Sequence, residues 1–479
     1  MLVAFLNKDA AVIGKRHFSM EYFLHWGRKD NHGTFAHDFL FIGGKMLRKN
    51  MEWIGDILHI GGVSVNKLKE KYNTPLYIYD QKLFENTAKV FMDKFKSDKF
   101  ETEIVYASKA FSNLYVLGLV RSLGLDLDVV SGGELFLALK AGINPEKIHF
   151  HGNNKLEEEI IMAIENDIGL IIIDNMAEFH LLSRLLGKYK KNMRVLLRIN
   201  PDIVTGTHKF IQTSNADSKF GLNIRDEELT SYIKEIIEDP NVELEGFHAH
   251  IGSQVTKGEF FIEESNILLD FTKKMSDDLG YEFTNINFGG GFGVIQKEED
   301  PSLDLEEFLP EFIKHIEEKI GELGLPIKRV GIEPGRSLIN QAGSTLYTVA
   351  SVKETLEGLP LVFVDGGMSD NIRPSLYGAK YDALIANRKE SSKKSYRVAG
   401  KLCESGDILI DEVELGNPEK DDLLLIPSTG AYTYAMQSHY NKMLNPAVVF
   451  VKDGKDYLAV RRESYEDLLI NNLEYEERN

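Results

Sequence analysis

The chain is short of cysteine. Cys403 is the one example in 479 residues, which excludes an internal disulfide framework and any zinc site built on several cysteines. It is also short of positive charge. Lys and Arg number 56 against 74 Asp and Glu, a net charge of −18. That balance argues against general nucleic-acid binding and against docking on anionic lipid. No apolar run reaches the roughly 18 residues that a membrane-crossing helix needs; stretches such as 423–426 have the length of a core strand. Residues 1–11 carry Lys8 and Asp9 inside their apolar stretch, unlike a secretory signal. Thirteen prolines against forty glycines leave no Pro-rich linker and supply many tight turns. What remains describes a cytoplasmic globular protein that handles small molecules. Its 43% hydrophobic residues build a sizeable core. Its length predicts two domains, or one large domain with an extension.

A rhythm fills the middle of the sequence. Short apolar, β-branched runs fall at 103–108, 125–130, 148–150, 170–173, 195–199, 244–250, 285–288 and 330–332. Amphipathic segments of helix length lie between them, for instance 113–123, 133–141 and 178–186. Eight successive βα units predict an α/β fold closed as a (β/α)₈ TIM barrel over residues 81–340. A doubly wound open sheet is the competing layout, but its Gly-rich fingerprint after the first strand is missing. Beyond 340, strand-like runs follow one another at 345–352, 361–365, 395–399, 423–426, 447–452 and 457–461. Asp453-Gly454 between the last two is a hairpin signal. Residues 341–479 therefore read as a second, mostly β domain, a sandwich or barrel. Residues 46–80 hold further strand-like runs, at 57–60 and 75–79, expected to join it. Residues 1–45 read as an extension whose His17, His25, His32 and His37 match no ligand spacing, so no metal is expected. Codons for Gly43-Gly44-Lys45 can spell a purine-rich ribosome-binding site before Met46, so Met46 is the expected start. A peptide from residues 1–45 in mass spectra of the natively expressed protein would exclude that reading.

In such a barrel, chemistry sits at the carboxyl ends of the strands. Those ends carry Lys109, Ser131, Gly152, Asp174, Asn200, His250 to Ser253, Gly289 to Gly291, and Glu333 with Arg336. Each has a bland reading alone: a solvated lysine, a strand-to-helix turn, a surface ion pair, a satisfied core histidine. Together, a partly dehydrated amine, a phosphate cradle free of side chains, a carboxylate and an imidazole fit pyridoxal phosphate (PLP). Lys109 would take the aldehyde as a Schiff base, the glycines the phosphate, Glu333 the ring nitrogen and His250 the ring face. A carboxylate against that nitrogen keeps it protonated, so the ring accepts the electron pair left by bond cleavage at the substrate Cα. His248 and His250 alternate along a strand and point to one side. As a zinc pair they would need a third ligand, and none is evident in the sequence.

The order of the motifs goes further. They are Tyr106-Ala107-Ser108-Lys109-Ala110, Asp128-Val129-Val130-Ser131-Gly132-Gly133-Glu134-Leu135 and His248-Ala249-His250-Ile251-Gly252-Ser253-Gln254. Gly289-Gly290-Gly291, Glu333-Pro334-Gly335-Arg336, Cys403-Glu404-Ser405-Gly406-Asp407 and Gly430-Ala431-Tyr432 follow. In these the chain resembles the diaminopimelate decarboxylases, within the barrel-type (fold type III) PLP decarboxylases, from about residue 54 to 465. The resemblance implies that Lys109, His250 and Cys403 are catalytic, with Cys403 the acid that protonates Cα. It implies that Gly252, Ser253, Gly289, Gly290, Gly291, Gly335 and Arg336 surround the phosphate region, that Glu333 pairs with the ring nitrogen, and that Tyr432 packs near cofactor and substrate. Arg336, Arg373, Tyr377, Glu404 and Tyr432 would hold substrate. It also implies a homodimer with shared sites, in which Cys403 and Glu404 of one copy serve the barrel of the other. The implied reaction converts meso-2,6-diaminopimelate to L-lysine and CO₂, the last step of bacterial lysine biosynthesis. Ornithine-type relatives carry Asp after the Cys; the longer Glu404, with Arg373, suits a distal amine and carboxylate. The rival within the fold is a PLP decarboxylase of ornithine, lysine, arginine or carboxynorspermidine. Glu333 speaks against an alanine-racemase-like enzyme, which usually places Arg at the ring nitrogen. The β domain speaks against a short, non-enzymatic PLP barrel.

Overall fold

The computed structural model describes residues 39–42, 45–48, 51–203, 218–297, 300–389 and 392–475. The four N-terminal histidines lie outside them. Two compact units are present, Met1–Lys49 and Asn50–Asn479. In the first, Phe39–Ile42 pairs antiparallel with Lys45–Arg48.

The second unit contains the expected barrel. Its parallel strands are Glu101–Ala107, Asp126–Val129, Ile148–Phe150, Leu170–Ile173, Met193–Asn200, Val242–His248, Asn285–Asn287 and Arg329–Ile332. Each pairs with the next, and Arg329–Ile332 pairs back onto Glu101–Ala107, which closes the ring. Leu170–Ile173 is buried at every residue, as a strand covered on both faces requires. Several helices start directly at strand ends through polar caps. Asn113, Ser131 and Asn175 each accept the backbone N–H three residues on, from Val116, Glu134 and Glu178. The chain thus turns sharply at the carboxyl mouth, where functional side chains gather.

A mostly β region is built around the long strand Gly343–Lys353. It pairs antiparallel with Leu361–Val364, Leu423–Pro427 and Leu76–Asp80. Leu76–Asp80 in turn runs parallel to Ala447–Lys452. The 75–79 run therefore lies in the same sheet as the C-terminal strands, whereas Met51–Ile54, Ile57–Ile60 and Val63–Ser64 form a three-stranded sheet of their own. The Asp453-Gly454 turn is present, with φ of 48° and 76°, as a two-residue hairpin of primed type demands. Ile408–Leu415 is a strand with no counterpart among the expected runs. Asp411, Glu412 and Glu414 lower its apparent β propensity, yet only its outward positions carry them.

The β region reaches the barrel mouth at one seam. Tyr79 stacks on Phe111 at 4.1 Å and Tyr115 on Phe450 at 4.4 Å, between ring centroids. The Tyr432 amide donates to Ala110 O at 2.8 Å. That bond ties the C-terminal region to the turn that carries Lys109.

Candidate active site

Lys109 sits in the 3₁₀ turn Ser108–Ala110 that follows the first barrel strand. The turn is pinned from beneath. Ser108 Oγ donates to Glu134 Oε2 at 2.8 Å, and the same oxygen accepts the Val130 amide. Lys109 Nζ donates to Asp128 Oδ2 at 3.3 Å. Burial is the largest influence and opposes the ammonium charge, but Asp128, Tyr432 and Glu333 together outweigh it, and the lysine is held protonated, above its usual range.

Glu333 stands at the carboxyl end of Arg329–Ile332 and is 5% exposed. Asn287 Nδ2 donates to its Oε1 at 3.0 Å, and His248 Nε2 is 3.1 Å from its Oε2. His151 Nε2 lies 2.9 Å from Oε1, without the alignment of a hydrogen bond. Burial pushes the acid up, but the two imidazoles more than reverse this and hold it well below the carboxylate range. His250 is the opposite case. Burial, then the neighbouring Lys109, depress it, so it is a neutral ring. Its Nδ1 accepts the Gly290 amide at 3.1 Å.

The triple glycine threads between these groups. A Cβ on Gly290 would lie 2.1 Å from Glu333 O, and one on Gly291 (φ +107°) would lie 2.2 Å from Gly252 O. Only glycine passes through so narrow a gap. Beside it, Arg336 Nε donates to Ser253 Oγ at 3.2 Å, and its guanidinium covers the Tyr432 ring at 4.7 Å. Burial, and then Arg373, lower Arg336 to about 10, while Nη1 is buried with no partner among the described residues. An orphaned guanidinium nitrogen beside side-chain-free backbone is a place for an anion.

Lys109, His250, Gly252, Ser253, Gly290, Gly291, Glu333, Gly335, Arg336 and Tyr432 line one cavity. Gly289 stands just behind, its carbonyl accepting the Glu333 amide at 2.6 Å. Arg373 and Tyr377 are adjoining: the Arg373 guanidinium is 5.3 Å from the Tyr377 ring and 5.8 Å from the Tyr432 ring. Cys403 and Glu404 are not brought there. Both are exposed on a loop anchored by Asp407, which accepts the Met368 and Leu402 amides.

Asp128, His151 and Asn287 carry no expected role in the sequence, and no third ligand for the histidine pair is evident there. In the structure His151, His248 and Glu333 offer ligand atoms within 4.8 Å of one another, and His250 is not in that group. His151 follows Ile148–Phe150 directly, so the strand-end rule that found Gly152 could have found it.

A cationic amine, a buried carboxylate, a neutral imidazole and an anion cradle at one barrel mouth can hold a phosphorylated aldehyde with a basic ring nitrogen. Comparison with known proteins points the same way. The family described as "Pyridoxal-dependent decarboxylase, pyridoxal binding domain" matches residues 82–340. The diaminopimelate decarboxylase of Bacillus subtilis (strain 168) is 43% identical over 419 residues, covering 87% of this chain and 95% of that one. That of Staphylococcus aureus (strain COL) is 42% identical, over 86% and 97%. Among solved structures, diaminopimelate decarboxylase from M. jannaschii has a TM-score of 0.83 at 32% identity, covering 89% of this chain and 98% of its own. The chain therefore belongs to the pyridoxal-dependent decarboxylases, in the family of the diaminopimelate decarboxylases, and its cofactor is PLP.

Proposed function

We propose that this cavity decarboxylates meso-2,6-diaminopimelate to L-lysine and CO₂. One observation carries the reading: Lys109, Glu333, Arg336 and the glycine cradle line a single cavity at the barrel's carboxyl mouth. Bound PLP supplies the sink for the electron pair released as the carboxylate leaves. The protein's own groups do the rest. Lys109 provides the amine that tethers the cofactor, and Glu333 holds a negative charge against its ring nitrogen. His250, in the same lining, would lie beside the cofactor ring. Gly252, Ser253, Gly289 to Gly291, Gly335 and Arg336 hold the phosphate region. Arg336, Arg373, Tyr377 and Tyr432 grip the substrate. Fixing the distal end of the substrate would orient the bond that breaks. One proton returned to Cα balances the loss of CO₂, and Cys403 is its donor.

Cys403 and Glu404 are assigned to the cavity of a second copy, in a homodimer. Their exposure, away from the cavity of their own chain, supports that assignment. We divide the work between a catalytic barrel at 81–340 and a β domain at 341–479, joined by strands from 46–80, and place the enzyme in the cytoplasm. No helix among the described residues is long and apolar enough to cross a membrane. A solved M. jannaschii relative is in complex with L-lysine, the product expected here. A lysine/ornithine decarboxylase of Vibrio vulnificus, at 18% identity and a TM-score of 0.68, shares only the fold.

The test is CO₂ release from meso-diaminopimelate with and without added PLP. Faster release from L-lysine or L-ornithine overturns the substrate. Glu404→Ala removes one charge-assisted contact, so KM for meso-diaminopimelate rises about tenfold to a hundredfold. Cofactor retention, read by absorbance, stays unchanged in that variant.

A further inference from the structure

Glu333 is supported from more than one side. Asn287 Nδ2 reaches Oε1 and His248 Nε2 reaches Oε2, at 3.0 and 3.1 Å, with His151 Nε2 2.9 Å from Oε1. The two imidazoles meet edge to face, with centroids 4.9 Å apart. His248 is 1% exposed and His151 3%, and neither lines the cavity. The chemistry above gives neither ring anything to do.

Charge decides what His248 can do. Burial holds it down at about 4, despite the carboxylate beside it, so the ring is neutral near pH 7. Its Nδ1 is buried with no partner among the described residues. A bare lone pair is a less costly orphan than an N–H, which puts the single ring proton on Nε2, against Glu333. A carboxylate offers about four acceptor positions on its two oxygens. Asn287 and His151 crowd Oε1, and His248 takes one position on Oε2, which leaves Oε2 with one open. A neutral donor fixes the carboxylate without cancelling its charge, as an arginine would.

We infer that His248, with His151 beside it, is the positioning residue that keeps Glu333 ionised and turned so that an Oε2 lone pair remains for the cofactor's ring nitrogen. This rests on the reading that Glu333 serves that nitrogen. Lys109, His149, Arg198, His250 and Glu264 also face Glu333 electrostatically, and all stay in place in the variants that follow.

The experiment compares His248→Phe, which keeps a ring and loses the donor, with His248→Gln, which keeps a donor, and with Glu333→Gln. Each is loaded with PLP. The readouts are kcat, KM and the pH titration of the visible absorbance band. His248→Phe is expected to lower kcat about 10- to 100-fold, the range for losing a residue that orients an active-site group, with KM within about twofold. The titration midpoint moves by about one pH unit, and His248→Gln recovers most of both effects. An unchanged kcat and midpoint in His248→Phe overturns the inference, as does an equal loss in Phe and Gln. If Glu333→Gln keeps full activity, the reading of Glu333 itself fails instead. Where His248→Phe does not fold, His248→Leu serves with the same expected and overturning results.

Discussion

Lys109→Ala leaves no measurable CO₂ release from meso-diaminopimelate and abolishes the visible absorbance band of covalently held cofactor. The expected loss is at least about 10⁴-fold, because a nucleophilic amine has no substitute in this cavity. The other groups around the lining lack the chemistry. His250 is a neutral imidazole with Nδ1 engaged by Gly290, and Arg336 is a guanidinium, which stays protonated and does not add to carbonyls. Lys109→Arg is therefore as inactive as Lys109→Ala. The fold survives either change. The backbone of the turn is anchored by Ser108 and by the Tyr432 amide rather than by the Lys109 side chain. Among the described residues the side chain's one polar contact is with Asp128, at 3.3 Å, and it is 38% exposed, so the melting temperature shifts by no more than a few degrees. Residual turnover above about 1% of wild type removes Lys109 from the chemistry.

The barrel was legible because its strands differ so sharply from what flanks them. Ile148–Phe150 and Leu170–Ile173 coincide with their apolar runs to the residue. Where the runs and the strands disagree, hydrogen bonding decides. Val242–His248 starts and ends two residues before the run at 244–250, and His250 lies in the loop beyond, with its ring nitrogen taken by Gly290. The cavity was legible for the same reason, since a parallel barrel places strand ends at one mouth. Its lining could be read as a list of residues, but the pairings within it could not. Asp128 meets Lys109 across 19 positions, and His248 meets Glu333 across 85. Such contacts depend on which side chains turn inward and at what height in the barrel, and one strand's alternation cannot give that. Cys403 and Glu404 show another boundary. Their proposed roles came from resemblance alone, and within this chain the loop that carries them stands apart from the cavity.

That separation makes the second large effect testable. Cys403→Ala lowers kcat by about 10²- to 10⁴-fold, the usual contribution of a positioned acid. Mixed with Lys109→Ala and allowed to exchange subunits, it recovers activity that neither variant has alone. If each site takes Lys109 from one copy and Cys403 from the other, a mixed dimer has one site with both defects and one with neither. Random pairing makes about half of the dimers mixed, each with one intact site of two, so about a quarter of wild-type activity returns. Sites contained within one chain return nothing beyond the sum of the parents, and that result would overturn the shared-site assignment. The local structure favours recovery. The Cys403 amide is fixed to Asn441 Oδ1 at 2.8 Å, Ser375 Oγ donates to Gly406 O at 2.7 Å, and Asp407 is buried beneath the loop. To bring Cys403 into its own barrel, the chain would have to break these contacts and leave Asp407 without its amide partners. Pairing with a second copy asks nothing of them, because the thiol is already exposed. Cys403 is the chain's one cysteine, so a thiol reagent reports on it alone. Wild-type protein loaded with cofactor and L-lysine should react more slowly than the Lys109→Ala variant, whose cavity holds no covalently bound cofactor.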